Sequence, residues 1–89
     1  MSKKRRKLNK DFEKKIYSSK KNVELVLAKI YDIDDEDIQK EYMSAFNRVV
    51  YFYDELKINY EEEGFHGNSE ELLSNYKNAF DLFESEFEI

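Results

Sequence analysis

Apolar residues recur through the middle of the chain at Ile38, Tyr42, Ala45, Val49, Phe52 and Leu56, in alternating steps of four and three that put all six on one side of an α-helix. A second row, Phe46, Tyr53 and Tyr60, runs beside the first and widens the stripe to what a helix needs when it touches two neighbours at once. This pattern predicts a central helix over about 35–63. Upstream, Phe12, Ile16, Ser19, Val23, Val26, Ile30 and Ile33 form a similar stripe, broadened at its end by Leu27 and Tyr31, and predict a first helix over about 11–32. Ser18 and Ser19 place hydroxyls where hydrocarbon is wanted, so its first turns are expected to fray most readily. Downstream, Leu73, Tyr76, Phe80, Phe83 and Phe87, flanked by Leu72, Ala79 and Leu82, predict a third helix over about 69–87.

The breaks between these stripes carry the right punctuation. Asp34 or Asp35 can accept hydrogen bonds from the open N–H groups of the second helix, with Glu36 and Asp37 at its positive end. Gly64 is suited to the left-handed conformation that ends a helix. Asn68 or Ser69 caps the third helix, with Glu71 at capping-box spacing from Asn68. No proline interrupts any of the three. Short connections make successive helices antiparallel, so the expected fold is all-α: an up-down-up three-helix bundle with the second helix against both others.

Composition narrows the picture. At 89 residues the chain is one domain with a modest core, and 40% hydrophobic residues are too many for a disordered chain despite 39% charged ones. Without cysteine there is neither a disulfide framework nor a thiolate metal site, which fits a reducing cytoplasm. No apolar run approaches the length of a membrane span, and no apolar segment follows the basic start as it would in a secretion signal. The expectation is a soluble, unprocessed, cytoplasmic protein.

Charge is unevenly distributed. Residues 1–29 hold eleven Lys or Arg against three Asp or Glu, residues 30–53 two against six, and residues 54–89 two against eleven, for a formal net charge of −5. Residues 1–10 carry Leu8 as their one apolar side chain besides Met1 and are expected to form a mobile basic arm before a single helical domain over 11–89.

No catalytic, cofactor or metal constellation stands out, and no enzymatic activity is expected. The acids from Asp32 to Asp37 fail as a calcium loop, since the sixth position from Asp32 is Asp37 and the twelfth is Met43. His66 is the one histidine, without imidazole or thiolate companions, and is expected to be exposed in its turn. None of the serines has the base and oxyanion donors of a nucleophile. What remains is surface. The expected function is a non-enzymatic protein-interaction module, a small acidic adaptor or inhibitor that docks Asp54, Glu55, Glu61, Glu62, Glu63, Asp81 and Glu84 on a basic partner, with proteins that handle nucleic acid among the candidates. Tyr51, which should project outward from Tyr51-Phe52-Tyr53, is the aromatic contact of that surface. An alternative assigns polyanion or ribonucleoprotein binding to Lys3, Lys4, Arg5, Arg6 and Lys7 in the arm. A third is self-association as a homo-oligomer or a structural role. A helical hairpin of this size resembles the small partners of specialised secretion systems, although the Trp-x-Gly turn of the best-known group is missing and the chain has no Trp.

Overall fold

The computed structural model describes the backbone of residues 3–87 and the side chains of residues 9–87. Three helices follow one another: α1 (Lys3–Tyr31), α2 (Glu36–Glu63) and α3 (Ser69–Glu86). The turns joining them are short, α2 packs against both neighbours, and α1 and α3 approach each other less closely. The result is the three-helix, all-α bundle that the stripes predict, drawn out to 53 × 21 × 18 Å.

The two turns between helices are closed by identifiable groups. The Asp35 carboxylate accepts from the N–H groups of Asp37 (2.9 Å) and Ile38 (3.2 Å), which caps α2. From the other side of the same turn, the Gln39 side chain on α2 donates to the carbonyls of Ile30 and Tyr31, both at 3.2 Å, and so satisfies acceptors at the end of α1. At the far end, the Gly64 N–H closes α2 on the Tyr60 carbonyl at 2.8 Å. Its φ of 68° and ψ of −161° lie outside the left-handed helical region, in a conformation open essentially to glycine alone. At the start of α3 the expected Asn68 capping box is absent. Instead the hydroxyl of buried Ser69 accepts from the His66 N–H at 2.9 Å.

The core runs along the α1 stripe as predicted: Phe12, Ile16, Ser19, Val23, Val26 and Ile30 are buried, whereas Tyr31 stands exposed instead of widening it. On α2 the buried residues are Phe46, Val49, Tyr53 and Leu56. The centre of the apolar face is thus turned about 40° from the first row towards the second. Phe52 becomes a half-buried flank, while Phe46 is 0% exposed with the rings of Phe83 and Phe80 at 4.8 and 6.2 Å. Ile38, first in the predicted row, is 45% exposed. Phe87, just past the end of α3, meets Tyr42 edge-on at 4.8 Å, and one turn earlier along α2 there is no α3 left to cover Ile38. On α3, Leu73, Tyr76, Ala79 and Phe83 are buried and Leu82 is exposed.

Helix α1 begins at Lys3, ahead of the boundary near Asp11 that the stripe predicts. Asn9, assigned above to the arm, is tied to the bundle: its carbonyl accepts from the Tyr60 hydroxyl at 3.1 Å and its side-chain oxygen from the Phe65 N–H at 3.2 Å. Phe12 seals the same corner, with its ring 5.6 Å from Tyr60 and 5.2 Å from Phe65. Because α1 and α2 are antiparallel and Asn9 is level with the end of α2, the turns of α1 before Asn9 overhang the bundle.

Candidate functional site

The long, unbroken α2 fixes the geometry of its outer face. Tyr51, Glu55, Ile58 and Glu62 follow in steps of four, three and four, and all are exposed. Asp54, one turn before Ile58, flanks the line and is exposed too. Tyr51 and Ile58 are large apolar groups left 58% and 53% accessible. Tyr51 is held in place by its own neighbours: its hydroxyl donates to Glu55 at 3.0 Å, and its ring lies edge-on to Phe52 at 5.4 Å. The hydrogen bond and the nearby carboxylate charge raise the Tyr51 phenol above its ordinary 10.0. The outer face of α2 is therefore a narrow ridge of one aromatic and one aliphatic side chain set among carboxylates.

The other acidic residues proposed for this surface do not join it. Glu61 lines a shallow hollow between α1 and α2, beside Tyr17 and Lys57. Glu63 sits at the α2–α3 turn with a carboxylate oxygen 3.4 Å from His66 Nε2. Asp81 and Glu84 lie on a different side, lining a groove of about 480 Å³ between α3 and α1. The facing wall of that groove carries Lys14 and Lys15, and Tyr76 lies at its base, donating from its hydroxyl to the Ser19 carbonyl at 3.3 Å. Ser19 turns its own hydroxyl back to the Lys15 carbonyl at 2.8 Å, so a polar residue in an apolar stripe is satisfied within its own helix. The acids that share a back half in the sequence thus occupy four separate places in the fold. The side chains of Lys3, Lys4, Arg5, Arg6 and Lys7, proposed for polyanion binding, lie outside the described residues.

His66 is half-buried, contrary to the exposed loop position expected for it. Its Nδ1 accepts from the Asn68 N–H at 3.2 Å, which leaves Nε2 facing the side-chain oxygen of Asn59 and the Glu63 carboxylate. The ring braces the turn into α3. Gln39 is the other residue whose role the pattern of the chain did not announce, because the carbonyls it serves belong to another helix.

Burial raises the phenols of Tyr53, Tyr60 and Tyr76 above 10.0, with nearby carboxylates adding to the effect. Among the described residues, no group of three or more His, Cys, Asp or Glu is placed to hold a metal ion, and no helix is long and apolar enough to cross a membrane. Comparison with protein families, curated proteins and solved structures found no match, so the functional reading rests on the residues themselves.

Proposed function

We propose that this chain is a non-enzymatic interaction module, an adaptor or inhibitor that docks the outer ridge of α2 on a basic partner protein. The observation that carries the reading is the line Tyr51, Glu55, Ile58, Glu62, in which two large apolar side chains are left exposed and alternate with acids on one helix face. Interfaces favour such an arrangement: an aromatic anchor supplies buried area at low entropic cost, and the surrounding charges steer the encounter and select a partner of opposite sign. Asp54 extends the charged rim. Asp81 and Glu84 face a different direction and belong to this contact only if the partner wraps round α3. The lack of cysteine suits a reducing, cytoplasmic setting.

The test is affinity capture from extract with three forms of the full chain at matched salt: wild type, Tyr51→Ala with Ile58→Ala, and Asp54→Lys with Glu55→Lys and Glu62→Lys. A protein retained by the wild type, released as salt rises and lost from both variants supports the ridge as its docking surface. Equal retention by all three, with helicity unchanged by circular dichroism, overturns it.

A further inference from the structure

Lys10, Lys14, Tyr17 and Lys21 succeed one another on α1 in steps of four, three and four, and all four side chains are exposed. Lys3 and Lys7 occupy the next positions of the same register towards the N-terminus, on the part of the helix that overhangs the bundle. The line from Lys3 to Lys21 is about 27 Å long at 1.5 Å per residue and contains no acid. Glu13 borders the same shallow hollow as Lys10, Lys14 and Tyr17, and is the one carboxylate there. The chain has 20 acidic residues, yet among the described residues no lysine has a carboxylate within ion-pairing distance. Tyr17 is 58% exposed in the middle of the line, with Lys21 Nζ 4.9 Å above its ring.

We infer that this outer face of α1 is a binding ridge for single-stranded nucleic acid, with the lysines tracking phosphates and Tyr17 offering a face on which a base stacks. Single strands are held by this combination of a basic track and an exposed aromatic, largely without regard to sequence. The cations are spaced about one helical turn apart, and two turns apart across Tyr17, so each can meet a different phosphate and release its counterions. Two other occupants fit less well. A bilayer requires the apolar face of the helix, and that of α1 is committed to the core through Phe12, Ile16, Val23, Val26 and Ile30. The acidic ridge on α2 of a second copy is a poorer match, because its line of carboxylates is interrupted by Ile58. The ridge on α1 is separate from that on α2, so either assignment can fail without the other.

The experiment is fluorescence anisotropy of the full chain with labelled oligothymidylate and oligouridylate over a salt series. The wild type should bind both, with the logarithm of affinity falling against the logarithm of salt with a slope of about −2 to −3.5, the value for three to five phosphates on a single strand. Lys10→Gln with Lys14→Gln and Lys21→Gln should reduce the magnitude of that slope by about 2. Tyr17→Ala should weaken binding about tenfold and leave the slope unchanged, because stacking releases no counterions. Lys20→Gln with Lys29→Gln, which removes two charges from α1 off the line, should leave the slope nearly as it was. The inference is overturned if the wild type does not bind at low salt, if both lysine variants act alike, or if a duplex binds more tightly and Tyr17→Ala has no effect. Sedimentation showing an assembly that the triple lysine variant dissolves would also overturn it, in favour of a second copy of the chain.

Discussion

Phe46 and Phe52 are residues of one type on one helix, and the rotation of the α2 core separates them. Truncating Phe46 to Ala exchanges a fully buried ring for a methyl group between Phe80 and Phe83. The lost transfer contribution is about 1.5–3 kcal/mol. If about half of the roughly 100 Å³ vacated stays empty, the cavity adds about 1.2 kcal/mol, for a total of about 3–4 kcal/mol. Phe52 is half-buried beside a shallow hollow between α2 and α3, shared with Arg48 and Leu82, and its truncation leaves no enclosed void. Its cost should be about 1 kcal/mol. The total stability of a domain of this length is about 4–13 kcal/mol, so Phe46→Ala removes a large fraction of it and Phe52→Ala does not. Urea denaturation followed by circular dichroism reads the contrast directly: with a slope of about 1 kcal/mol per molar, the midpoint falls by about 3 M for Phe46→Ala and about 1 M for Phe52→Ala. Equal shifts, or a larger one for Phe52→Ala, would refute the placement of the core face.

Three further outcomes follow from the helix ends and the phenols. Asp35→Ala removes an acceptor from two N–H groups and should cost about 1 kcal/mol, lowering the melting temperature by about 4–8 °C, while Asp35→Asn retains most of the cap. Gly64→Ala should cost about 1–3 kcal/mol although a Cβ there meets nothing within 4 Å, because the strain lies in the backbone. Gly67→Ala, with equally open space and no positive φ, should be neutral or slightly stabilising, and thermal melts of the pair separate conformation from packing. Because the phenols of Tyr53, Tyr60 and Tyr76 are raised in the folded state, the unfolded chain loses its phenolic protons first. Stability is therefore fully present below pH 10.0 and declines as pH rises through the folded values; urea midpoints that hold steady well above pH 10.0 would refute this.

The stripes of α1 and α3 were legible because each helix buries essentially one line of side chains, so spacing alone marks the core. On α2 the apolar arc serves two neighbours and is wider than either row, and spacing cannot say which part of a wide arc lies deepest. That choice was made by Phe80 and Phe83 closing on Phe46 from α3. The start of α1 escaped the pattern for a related reason: the residues before Asn9 show no apolar period, and Asn9 is held by partners more than fifty residues away. For the candidate surfaces, the outward position of Tyr51 followed from its place between two core residues. The separation of the acids into four places did not follow, since charge counted along a chain carries no information about helix faces.

α2 makes most of the contact that holds the bundle together, and both of its companions are its immediate neighbours in the chain, each reached through a turn of a few residues. Little loop entropy opposes either hairpin, so the chain belongs with those that reach the native state in microseconds to milliseconds. The two hairpins need not form together. The one built from α2 and α3 can zip first, with α1 closing afterwards, and truncations at its buried Phe12, Val23 and Ile30 would then speed unfolding more than they slow refolding.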